Sequence, residues 1–143
     1  MPDALAPFAK LVVKHGVRPG LLDDAERQRA LGLVWAGLPE SQVMSEPEVN
    51  VAIKAQLAGP AAFLDVDHVE LRRWLVDAGW LSRDGFGRAY SRVAELALTP
   101  AQAETVAPLQ GVVLHAWSAA LLQARQAARE ARRRAWTATR PGA

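Results

Sequence analysis

The tetrapeptide Ser45-Glu46-Pro47-Glu48 narrows the fold more than any other part of the chain. A serine hydroxyl can accept from the amide three residues on, and a glutamate there can reach back to the serine amide. Together they close the first turn of a helix from both sides. Pro47 stands where a helix has no use for its missing N–H, and Glu46 and Glu48 both suit the positive end of the helix dipole. A helix therefore starts here, with Val49, Ile53 and Leu57 on one face, and Gly59-Pro60 stops it. Leu71, Trp74, Leu75 and Ala78 lay down a second apolar stripe. Its expected cap is Asp65, its first turn holds Asp67 and His68, and Gly79 is its left-handed C-terminal residue. Two short strands follow, over 80–83 and 88–93, joined by Asp84-Gly85-Phe86-Gly87, whose two glycines are expected to supply positive φ.

Upstream, Leu31, Val34, Trp35 and Leu38 fall at i, i+3, i+4 and i+7, the buried face of a helix capped by Asp23 with Glu26 three residues on. Gly37 and Pro39 end it, and Gln42-Val43-Met44 reads as a short extended connector. The order helix, short strand, helix, helix, hairpin is that of a winged helix-turn-helix domain. Leu5, Phe8, Ala9, Leu11 and Val12 give a short N-terminal helix, broken at Arg18-Pro19-Gly20. Thr99-Pro100 opens another helix, Pro108 and Gly111 interrupt it, and residues 112–136 read as one long helix rich in Ala and Arg, fraying over 137–143. The expected fold is mainly α with a small β-hairpin. A helical extension covers 1–21, a winged-helix domain 22–93, and a C-terminal helical region 94–143.

The segment from Phe8 to Arg92 resembles the bacterial domain-of-unknown-function family 2087. Three stretches carry the resemblance: Ser45 to Asn50, Leu71-Arg72-Arg73-Trp74-Leu75-Val76-Asp77, and the basic-Gly-x-Tyr ending within Arg83 to Tyr90. Met44 stands where the family usually has an aromatic residue. The resemblance implies a transcription-associated role, because the family occurs alone or beside helix-turn-helix regulators of the arsenic-repressor type. It brings no catalytic residues with it, and the long C-terminal helix lies outside it.

The chain contains no cysteine, which removes disulfides, thiolate metal sites and cysteine nucleophiles. No run approaches the roughly 18 apolar residues of a membrane span, and Met1-Pro2-Asp3-Ala4 lacks the pattern of a signal peptide. A cytoplasmic protein without a membrane partner is the expectation. The net charge of +2 hides a division. Residues 122–143 hold six arginines against Glu130, a net +5, which leaves −3 on residues 1–121 with their 11 basic and 14 acidic side chains. The basic character therefore belongs to the tail.

Candidate sites follow from this arrangement. Arg72 and Arg73 face away from the apolar stripe of their helix, which in a winged helix would enter the major groove. The alternative is a salt bridge to Glu48, Glu70 or Asp77. Arg83, Arg88 and Arg92 make the hairpin basic and suited to phosphate, or merely a charged sheet edge. Arg125, Arg129 and Arg132 share one helical face with Arg133 beside them, a basic surface for an acidic partner or solvent. Val113, Trp117, Ala120 and Ala124, continued by Ala127 and Ala131, form a seam on which a second copy could pair. Asn50 is expected to fix a neighbouring loop. Asp65, Asp67 and His68 are capping residues rather than metal ligands. No catalytic triad, phosphate loop or dinucleotide motif is present, so no enzyme, cofactor or metal is expected. The functional expectation is a DNA-binding, transcription-associated module that takes double-stranded DNA and forms a homodimer through the C-terminal helix. The alternative is a protein-interaction module on the same scaffold.

Overall fold

The computed structural model describes residues 3–139. Helix α1 spans Ala6–Val12, α2 Asp24–Gly37, α3 Glu46–Leu57 and α4 His68–Asp77. Strands β1 (Leu81–Arg83) and β2 (Tyr90–Arg92) follow, then α5 (Pro100–Val106) and α6 (Leu114–Thr139). The fold is mainly helical with one small antiparallel hairpin, paired Leu81 with Arg92, Ser82 with Ser91 and Arg83 with Tyr90.

The start of α3 forms as the sequence dictates. The Glu48 amide donates to Ser45 Oγ at 3.3 Å, and the Ser45 amide donates to Glu48 Oε1 at 3.1 Å. That amide holds the Glu48 carboxyl below its ordinary pKa. Asp23 caps α2 by accepting from the Glu26 amide at 2.8 Å. The cap of α4 is Asp67, which accepts from the Glu70 amide at 2.8 Å, and not Asp65. Asp65 is held extended because its own amide donates to the Val17 carbonyl at 2.7 Å, beside a Val17–Leu64 bridge, so the helix starts two residues later.

Gly79 ends α4 at φ +79°, as required of a left-handed residue. In the hairpin only Gly87, at φ +68°, needs that freedom. Gly85 does not, because the Asp84 carboxylate organises the turn, accepting from the Arg88 amide at 2.8 Å and the Phe86 amide at 3.3 Å. Those amides lower the pKa of Asp84, the Arg88 amide most of all. On the other side of β2, Met44 and Tyr90 exchange both backbone hydrogen bonds, at 2.7 and 2.8 Å. The connector before α3 thus adds one bridge to the sheet, with Tyr90 flanked on both sides.

Helix α2 is the hub of the core. Leu31, Leu33 and Val34 are fully buried, and Trp35 packs against Trp80 with ring centroids 5.9 Å apart. Gly32 permits this, since a Cβ there would sit 2.7 Å from the Val106 side chain and 3.2 Å from the Trp80 ring. The flanking segments join the same core through Phe8, Leu11 and Val12 of α1, and Val106, Leu109 and Leu114 near the C-terminal end. Gln102 of α5 closes three loose ends. Its side chain accepts from the Thr99 amide and donates to the Ala78 and Gly79 carbonyls at the end of α4. Helix α6 packs through Leu114, Ser118 and Leu121, and every described residue from Leu122 onward is exposed. The helix runs to Thr139, past the expected fraying point. The rest of that stretch, residues 140–143 with Arg140, lies outside the described residues.

Candidate nucleic-acid interface

Helix α4 and the hairpin flank an open groove of about 320 Å³, whose walls include Arg72, Arg73, Asp77, Arg83, Phe86 and Tyr90. The side-chain period of each element puts these groups there. Arg73 lies on the outer face of α4, opposite Leu71 and Leu75, which pack inward. On the hairpin, Arg83 pairs with Tyr90 and so shares its face, toward α4.

The five arginines expected to contact DNA divide into two classes. Arg72 is turned inward, with its side chain only 15% exposed. Its Nη1 donates to Asn50 Oδ1 at 2.6 Å and reaches Glu46 at 3.4 Å, and its guanidinium lies 5.2 Å over the Tyr90 ring. The ion pair expected with Glu48, Glu70 or Asp77 forms with Glu46 instead. Asn50 is structural, but it fixes a helix and not the neighbouring loop expected: it holds α4 on α3 through Arg72.

Arg92 is a correction to the DNA-contacting set. Its side chain is 8% exposed, and its Nη1 donates to the Trp35, Ala36 and Leu38 carbonyls at 3.1–3.3 Å. Those are open acceptors at the end of α2. Nη2 pairs with Glu40 at 3.0 Å, and the guanidinium stacks 3.8 Å over the Trp35 ring. Burial lowers its pKa, with Glu40 opposing, and arginine stays charged regardless. With Nη1 and Nη2 engaged inside the chain and the side chain buried, Arg92 is not presented to a phosphate. The signal was present in the sequence: Tyr90 and Arg92 are two apart in a strand, so a buried Tyr90 places Arg92 inside.

Arg73, Arg83 and Arg88 remain exposed. Among the described residues, no carboxylate lies within ion-pair distance of any of them. The Arg83 guanidinium arches over Gly87, 2.9 Å from where a Cβ would be. Phe86, at the hairpin tip, is 84% exposed. As a turn residue it carries no site signal beyond its place between Gly85 and Gly87, where an aromatic has no core to enter.

The C-terminal sites are placed differently. Arg125, Arg129, Arg132 and Arg133 are exposed on α6. The expected pairing seam is split: Val113 is exposed but precedes the helix, Trp117 is half-buried in its own chain, and Ala120 and Ala124 with their continuation are exposed on the helix. Among the described residues, no group of three or more His, Asp or Glu side chains could hold a metal ion, and no single helix is long and apolar enough to cross a membrane.

Residues 22–92 match the model of a family described as "Uncharacterized protein conserved in bacteria (DUF2087)". Over this span the chain belongs to that family. The family segment runs from the last turn before α2 to the end of β2, and includes the capping box, the arginine-bearing helix and the hairpin. It begins after α1, inside the stretch from Phe8 on which the resemblance was expected. No curated protein and no solved structure matches the chain.

Proposed function

We propose that this chain binds double-stranded DNA in a transcription-associated role, through the face shared by α4 and the hairpin. The observation that supports it is a pair of exposed guanidiniums, Arg73 and Arg83, on the groove that α4 and the hairpin flank, with a third, Arg88, exposed on the same hairpin, all three without a carboxylate partner among the described residues. In a winged-helix arrangement this helix lies against the major groove while the hairpin reaches phosphates. Arg72 serves the reading indirectly, by fixing α4 against α3 so that Arg73 is presented from a rigid element.

The test is binding to a random duplex at two salt concentrations. Removing three cations that each neutralise a phosphate should flatten the log–log salt slope by about 2.7. The triple variant R73Q/R83Q/R88Q is therefore expected to bind more weakly and with a shallower slope. Absence of salt-sensitive binding by the wild-type chain at low ionic strength overturns the proposal.

A second reading, a protein-interaction surface, draws on Phe86 at the hairpin tip and on Glu70 and Asp77, which oppose a polyanion on α4. Under it F86A abolishes partner binding and the arginine triple does not. Pairing of two chains through Ala120, Ala124, Ala127 and Ala131 belongs to the first reading, since twofold DNA sites suit dimers. A monomeric mass at micromolar concentration removes it.

A further inference from the structure

Helix α6 changes character along a single face. Leu114 and Ser118 are buried on it, and Leu121 packs at its edge. With steps of three and four, the same stripe continues as Arg125, Arg129, Arg132 and Trp136. The change falls where the helix leaves the body of the molecule. Beyond it, a groove of about 420 Å³ opens between the end of α1 and the arm, lined by Val13, His15, Leu122, Arg125, Arg129 and Arg133 among others. The one acidic side chain on its wall, Glu130, lies 3.9 Å from Arg134. Among the described residues the three groove arginines have no carboxylate within ion-pair distance.

We propose that this groove binds the phosphate backbone of a nucleic acid. The proposal extends the nucleic-acid reading above to a second surface, and the variants below separate the two. Arg125, Arg129 and Arg133 succeed one another by one helical turn, a rise of about 6 Å each. Cations in a regular row on a rigid helix fit a ligand whose charges also come in a row. Trp136, 67% exposed, continues the stripe and can stack on a base or sugar. His15 can add a ring N–H donor from the opposite wall.

Two other polyanionic partners fit less well. An anionic membrane would require large apolar side chains opposite the charges. Here the tryptophan shares the arginine face, and the neighbouring face holds Ala124, Ala127, Ala128, Ala131 and Ala135. An acidic protein would need buried aromatic or aliphatic anchors, and the groove offers only Val13 and Leu122 as apolar walls.

The experiment uses the full chain and a labelled random 20-base-pair duplex, followed by fluorescence anisotropy from 50 to 200 mM salt. R125Q/R129Q/R133Q should weaken binding at least tenfold at 50 mM salt and flatten the log–log slope by about 2.7. Each groove arginine removed singly should cost more than R134Q, which lies on the far side of the helix. R73Q/R83Q/R88Q is measured alongside. If it binds as wild type while the arm triple fails, the arm is the nucleic-acid site and the α4–hairpin proposal falls alone. An arm triple with unchanged affinity and slope overturns the inference, whatever the other triple does. Losses equal to that of R134Q also overturn it, since they report net charge only. Loss of binding to phosphatidylserine vesicles with duplex affinity retained overturns it in favour of a membrane surface. All the substituted groove side chains are exposed, so circular dichroism should be unaltered.

Discussion

In the body of the molecule Arg27 lies 5.3 Å over Trp74, Arg72 5.2 Å over Tyr90, and Arg92 3.8 Å over Trp35. In the arm, Arg125, Arg129 and Arg133 have neither a ring nor a carboxylate against them among the described residues. These three arginines share one construction that Arg73, Arg83 and Arg88 lack. A flat guanidinium lays its face on an aromatic ring while its edge donates to oxygens of another segment. Arg27 donates to the Pro19 and Leu22 carbonyls, Arg72 to Asn50, and Arg92 to the end of α2. Each joins two segments that hydrophobic packing alone would leave free to slide. The arm has no second segment to join, so its arginines keep their donors for something outside the chain. Charge counted along the sequence is blind to this difference, which depends on whether an aromatic ring from elsewhere in the chain lies beneath the residue.

Substitutions can break or sharpen that contrast. The largest expected effect is at Arg92. R92A leaves three α2 carbonyls and a Trp35 face uncovered and should lower unfolding stability by on the order of 3 kcal/mol. R92K should recover only part of this, since an ammonium lacks the flat fork. Chemical denaturation that found R92A as stable as wild type would end the idea that Arg92 is a structural clasp. R72A should cost about 1–2 kcal/mol, from its hydrogen bonds to Asn50 and Glu46 and one cation–π contact. It should also loosen α4 on α3, read as faster amide exchange in α4.

A smaller effect is expected from acid. The folded pKa of Glu48 is lowered, so its contribution is complete above the unfolded value, about 4.3, and is lost as pH falls through the folded value. The thermal midpoint of wild type should therefore exceed that of E48Q at pH 6, with the gap closing toward pH 3. A gap that widened in acid would show the sign to be wrong. Smallest of all, R125Q/R129Q/R133Q should stay within about 0.5 kcal/mol of wild type. A larger loss would mean that the arm is held by its arginines after all.

Much of the scaffold could be read from local chemistry. The Ser45–Glu48 box, Gly79, and the helix, helix, hairpin order each follow from residues within a few positions of one another, where spacing alone decides. What escaped depends on segments far apart in the chain. Asp65 reads as the cap with Asp67 inside the first turn, and only the pairing of Val17 with Asp65 moves the start to Asp67. Arg72 pairs with Glu46 and not with Glu48, Glu70 or Asp77, a choice set by how α4 lies on α3. Of the C-terminal seam, Trp117 is half-buried beside Leu114, Ser118 and Leu121, whereas Val113 and the alanines stay exposed, because packing on α1 decides which side of α6 turns inward.

The side chain of Gln102 bears on where the molecule can be divided. It ties the last carbonyls of α4 to the first turn of α5, and Val106 of the same helix meets Trp80 and Gly32 in the core. The family segment ends ten residues before Gln102. A chain cut at that boundary would lose the plug on α4 and the lid over its central tryptophan. The segment and the helix that follows it share one core, so the full chain should melt in a single transition and a chain ending at residue 92 should melt at lower temperature.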